Sequence, residues 1–132
     1  MAISSIQITT LLLFLFVIAD EIIAQERNFA VTNEKNCNDL SNSFDSLQNS
    51  LETLRETRFA LTQNFNIKRK KGLKSGEYYS CDSQVGYLVI LIDESYSIYF
   101  NVPKSDWDVL ISSNDPEFFI RQEISKKYVR LE

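Results

Sequence analysis

From Cys37 onward the apolar residues recur at Leu40, Phe44, Leu47, Leu51 and Leu54, in alternating steps of three and four. That spacing draws one face of an α-helix. The opposite face holds Asn38, Ser41, Asn42, Asp45, Gln48, Asn49, Glu52 and Arg55, all suited to water. A cap at Thr32 or Asn33 followed by Glu34 offers the start. The pattern therefore predicts a long N-terminal amphipathic helix, too short a repeat for a coiled coil and expected to pack on the protein's own core. Beyond Arg58 the period changes, and Phe59, Leu61, Phe65 and Ile67 alternate with polar neighbours as a strand does. Leu54, Leu61 and Phe65 also fit a helix continuing to Asn64, so residues 57–68 stay open between the two states.

Lys70-Lys71-Gly72 marks a turn, and Glu77-Tyr78-Tyr79-Ser80-Cys81 reads as extended. Tyr87 to Ile92 is a continuous apolar run, which predicts a central strand covered on both faces. Asp93-Glu94-Ser95 turns the chain, and Tyr96 to Phe100 returns as its hairpin partner. Two helix starts follow. Ser105 with Asp108 resembles a capping box for a short helix to Leu110 or Ile111. Asp115-Pro116-Glu117 places a cap, a proline in the first turn and an acid, with Phe118, Phe119, Ile120, Ile124 and Tyr128 expected on the buried side and Lys126 and Lys127 at the C-terminal end. The expected fold is α+β: a small antiparallel sheet, the N-terminal helix on one face and two short C-terminal helices on the other.

One apolar stretch, Ile8 to Ala19, stands apart from this plan. It has the length of an export-signal core and is short for a bilayer span. Ile22-Ile23-Ala24 supplies a cleavage site after residue 24, with Ala19 as second choice, so residues 1–24 are expected to leave and Gln25 to begin the mature chain. No Lys or Arg precedes the apolar core, and an uncleaved anchor is the alternative. The expected location is secreted or periplasmic, with no membrane attachment once the leader is cut.

Composition narrows the chemistry. The 132 residues contain no histidine, which removes Ser-His-Asp and Cys-His nucleophile systems, His-ligated zinc and the usual general base near neutral pH. With 14 basic and 18 acidic residues, no overall field draws the chain to nucleic acid. Two cysteines, Cys37 and Cys81, in a short exported chain are expected to form a disulfide worth about 4 kcal/mol on the chain-entropy model. Two separate buried thiols are the alternative, and two thiolates alone are too few for a metal site.

The densest charge feature is Lys68-Arg69-Lys70-Lys71 with Lys74. It is a candidate polyanion site, for RNA or an anionic lipid surface, with Tyr78 and Tyr79 near enough in sequence to stack on bases. The favoured reading is a solvated turn or guarded strand edge, because the chain is net acidic and an exported protein meets little RNA. Asp106 with Asp108, and Asp115 with Glu117, resemble acid/base pairs, yet each sits where helix starts explain acidic residues. Tyr96, Tyr99 and Trp107 read as core partners rather than a ligand shelf.

The segment from Tyr78 to Tyr128 has a further feature. Its apolar strand, the hairpin return ending Tyr99-Phe100-Asn101-Val102-Pro103, then Trp107, Leu110, Ser113, Phe118-Phe119, Ile124 and Tyr128, resembles the KTSC family, a small domain named for the C-terminus of some lysyl-tRNA synthetases. The family's Tyr-x-Tyr pair is represented here by Ser97 and Tyr99, so only its second tyrosine carries over. The resemblance implies strands first and helices after, no established enzyme activity, and Tyr99, Asn101, Val102, Pro103, Phe118, Phe119 and Tyr128 as motif positions. It divides the chain into a leader (1–24), a helix with basic connector or hairpin (25–77) and a KTSC-like domain (78–132). The functional expectation is an exported, non-enzymatic module without metal or cofactor that binds a protein or envelope partner, with polyanion binding through residues 68–74 as the alternative.

Overall fold

The switch of period after Arg58 is a change from helix to sheet. In the computed structural model, which describes residues 35–40 and 44–132, helix α1 (Leu47–Glu56) ends where the alternating pattern begins. Strands β3 (Leu61–Asn66), β4 (Leu73–Ser80), β5 (Val85–Ile92) and β6 (Ser95–Pro103) then form an antiparallel sheet in sequence order, closed at its far side by β7 (Arg130–Leu131). The segment left open between helix and strand is thus strand β3. Its residues alternate half-buried and exposed, as befits an edge with one wet face. The apolar run is β5, third of five strands and central as expected.

Both faces of the sheet are covered. On one lie Leu73, Tyr78, Leu88, Ile90, Tyr99 and Val102, packed with Trp107, Leu110, Ile120 and Ile124 of the C-terminal helices. On the other, Tyr79, Val89 and Ile98 meet Leu51 and Leu54 of α1. This alternation from one core to the other along β4 and β5 explains why the central strand carries no polar side. Arg55 locks α1 down by a two-point ion pair with Glu77 of β4, at 3.3 and 3.0 Å, while its guanidinium lies 5.3 Å from the Tyr96 ring of β6.

The long N-terminal helix is shorter than its stripe. Asn36 and Lys35 form β1 (Lys35–Asn36), pairing in parallel with β2 (Thr57–Arg58), and Cys37–Asp39 is a single 3₁₀ turn whose backbone is extended again at Leu40. The helix starts only at Leu47, because the Ser46 hydroxyl accepts the Asn49 amide. Residues 38–46 contain seven Ser, Asn or Asp and two apolar residues, and such side chains compete with the helix for backbone partners. The expected start at Thr32 or Asn33 and the leader lie outside the described residues. β4 runs through the boundary drawn at 77/78, and Glu34–Glu132 forms one compact unit.

After β6 the chain enters α2 (Lys104–Ser112), whose cap is Pro103 and not Ser105. The Lys104 amide is instead satisfied by the Gln84 carbonyl at 2.8 Å, so tertiary contact starts the helix before the serine is reached. Asp115 does cap the last helix, accepting the Phe118 amide with Pro116 in the first turn. That helix, α3, runs through Pro116–Phe119, a π-helical stretch Ile120–Ile124 and Ser125–Lys127. Its buried side is Ile120 and Ile124 with half-buried Phe119 and Tyr128; Phe118, expected inside, is 61% exposed. Ile120 and Ile124 lie one helical turn apart and set the phase, which turns residue 118 outward.

Candidate binding surface

The basic residues gather where β3 turns into β4. Ile67 donates its amide to the Lys74 carbonyl at 2.7 Å, and Gly72 takes φ +84°, a left-handed conformation that glycine accepts without strain. The adjacent hairpin turn braces it: the Asp93 carboxylate accepts the Gly72 amide at 2.7 Å and the Asp93 amide reaches the Gly72 carbonyl at 2.8 Å. Lys68, Arg69, Lys70 and Lys71 are all exposed on this braced turn, and Lys74 is half-buried.

Glu117 ties the turn to the start of α3. Its carboxylate accepts the Leu73 amide at 3.3 Å and pairs with Arg121 at 3.0 Å and Arg69 at 3.7 Å. Of the Asp115–Glu117 pair, one member caps a helix and the other bridges two arginines. Asp106 accepts the Tyr128 hydroxyl, and Asp108 pairs with Lys104 one turn earlier.

Beside the turn is a cleft of about 250 Å³ lined by Phe65, Asn66, Ile67, Leu110, Ile111, Ser113 and Pro116. Ile67 immediately precedes Lys68, and Pro116 immediately precedes Glu117 and Phe118, so cations and apolar groups adjoin. Ile111 is 51% exposed. Tyr78 and Tyr79 do not join this surface. Both are buried, on opposite faces of the sheet, and desolvation pushes each phenol up to about 12. They cannot stack on bases.

Of the motif positions, Phe118 is exposed, and the others lie in or against the fold's framework. Asn101 sits at φ 55° in a bulge of β6, where the register with β5 slips by one residue. The bulge puts Tyr99 and Val102 on the same face, and the Val102 carbonyl accepts the Tyr78 hydroxyl at 2.8 Å. Tyr99, buried, lies 3.0 Å from the Ser125 hydroxyl. Tyr128 donates to Asp106, and its phenol is pushed up to about 12 by burial and by that carboxylate. Pro103 precedes α2, and Phe119 packs on the core. Trp107 is buried between Phe65 and Tyr78, its ring centroid 5.7 and 5.5 Å from theirs, and donates its indole proton to Gln63 at 2.7 Å.

Cys37 and Cys81 are disulfide-bonded, with Cα atoms 5.8 Å apart. The bridge fastens the 3₁₀ turn to the residue after β4, in place of the helix turn that the apolar stripe implied. Among the described residues no group of three or more His, Cys, Asp or Glu side chains could hold a metal ion, and no helix is long and apolar enough to cross a membrane.

Sequence reasoning located the cations but missed Glu117 and Arg121 as their neighbours, Ile111 in the cleft lining and the exposure of Phe118. The Ile120–Ile124 spacing held the signal for Phe118; the approach of α3 to the β3–β4 turn leaves no mark in sequence. No family model, curated protein or solved structure matches the chain.

Proposed function

We propose that this chain is an exported, non-enzymatic binding module, held by the Cys37–Cys81 bridge and presenting the turn of residues 68–74 to a protein or envelope partner. The observation that carries the reading is the contrast between the two kinds of charged group. Asp106, Asp108, Asp115 and Glu117 are each engaged in holding the fold, whereas Lys68, Lys70 and Lys71 extend from a turn whose backbone is already braced. Groups that maintain structure are poorly placed to move protons, and exposed cations on a rigid support are well placed to meet a partner. A disulfide in a chain with an apolar N-terminal stretch supports an oxidising compartment. The order of apolar strand, bulged hairpin return and two helices is in keeping with a KTSC-like domain.

Expressing the full-length chain in its host, fractionating the cells and weighing the product intact, with and without reductant, tests this directly. The expected product lies outside the cytoplasm, begins at Gln25 and gains two hydrogens on reduction. A cytosolic, full-length chain with two free thiols would overturn export.

A further inference from the structure

We infer that the β3–β4 turn and the cleft beside it form one docking surface for an anionic phospholipid membrane. Lys68, Lys70 and Lys71 are exposed on the turn, and Arg121 stands beside it on α3 through their shared neighbour Glu117. Two large apolar side chains are exposed in these segments: Ile111, 51% exposed, lines the cleft, and Phe118, 61% exposed, comes two residues after Pro116 of the lining and directly after Glu117, which reaches the turn. An isolated exposed apolar residue needs no explanation; two beside an apolar cleft and a cationic turn make an amphipathic surface. Anionic headgroups match the cations, the lysine stems reach them from an apolar base, and Ile111 and Phe118 can enter the acyl boundary.

The acidic groups nearby do not cancel this field. Asp93, Glu94, Asp115 and Glu117 carry four negative charges against six positive ones on Lys68, Arg69, Lys70, Lys71, Lys74 and Arg121, which leaves the surface net cationic. RNA fits less well. Base stacking calls for several accessible rings, whereas Tyr78 and Tyr79 are buried and Phe65, three residues before the turn, is half-buried and stacked on Trp107. The inference deepens the proposed binding role, but rests on export only for which membrane is met, since affinity for lipid is a property of the folded chain.

Co-sedimentation of the chain as its host makes it, with phosphatidylcholine vesicles that contain or lack phosphatidylglycerol, gives the test. Binding is expected only to the anionic vesicles and is expected to weaken with salt. Replacing Lys68, Lys70 and Lys71 together by Gln should weaken it roughly a hundredfold. Phe118→Ser should weaken it by about tenfold, while Phe118→Trp should preserve it. Unchanged melting temperatures would show that these exposed substitutions leave the fold intact. Absence of vesicle binding at low salt overturns the inference, as does binding indifferent to Phe118→Ser and Ile111→Ser or a preference for oligouridylate over vesicles. An exported chain that ignores vesicles refutes this surface and leaves export standing; a cytosolic chain that binds them does the reverse.

Discussion

The Tyr78 hydroxyl donates to the carbonyl of Val102, 2.8 Å away and 24 residues further along the chain. The bond joins β4 to the bulged end of β6 across the central strand, and it exists because Asn101 adopts a left-handed conformation that brings Val102 onto the Tyr78 face. Tyr78→Phe would keep the ring and leave that buried carbonyl without its partner. The expected loss is about 1–2 kcal/mol, read from urea unfolding. An unchanged midpoint would show that the carbonyl finds another donor.

Alkaline pH acts on the same residue. Burial pushes Tyr78, Tyr79 and Tyr128 up from 10.0 to about 12, with the Asp106 carboxylate adding to the effect at Tyr128. Because the folded state holds these protons more tightly than the unfolded one, their contribution is complete below pH 10 and is lost as pH rises towards 12. Melting temperature followed across this window should fall, with a smaller fall for Tyr78→Phe than for the parent chain.

The Cys37–Cys81 bridge closes a separation of 44 residues. Cys81→Ser should cost about 4 kcal/mol under oxidising conditions and little once reductant is present, as expected when the bond chiefly restricts the unfolded chain. Equal losses in both conditions would assign the effect to packing of the thiol.

Gly76 faces Phe65 so closely that a Cβ would run into the ring. Gly76→Ala must displace Phe65 from its stack on Trp107, and should cost about 1–3 kcal/mol. The penalty should shrink in a Phe65→Leu background, where the obstructing ring is gone. Equal penalties in both backgrounds would locate the strain elsewhere.

Two serines separate the helix starts that the fold uses from those it does not. Ser46→Ala removes the side chain that caps α1 and should destabilise by about 1 kcal/mol. Ser105 is exposed inside α2, where no cap is needed, so Ser105→Ala should stay within about 0.5 kcal/mol. Chemical unfolding of both variants decides between these positions.

Local chemistry was enough to specify several elements. The unbroken apolar run of β5 requires cover on two faces, Asp115-Pro116 starts a helix with its own side chain, and the 3.6-residue stripe correctly assigns Leu51 and Leu54 to a core. Each follows from an interaction within a few residues or from a periodicity that any partner would satisfy. The first two turns of the expected N-terminal helix failed because a stripe records which side chains prefer burial, not which backbone conformation delivers them: Cys37 is buried in a 3₁₀ turn through its bridge to Cys81. Ser105 lost its capping role because the Lys104 amide finds the Gln84 carbonyl, 20 residues before Lys104 in the chain. The candidate surface divides the same way. Its lysines are legible because charge is carried by residue type. That Glu117 reaches the turn, that Phe118 faces water and that Tyr78 and Tyr79 are withdrawn into two cores depend on how β4 and α3 pack, and packing of segments distant in sequence is settled only when both faces of the sheet are filled.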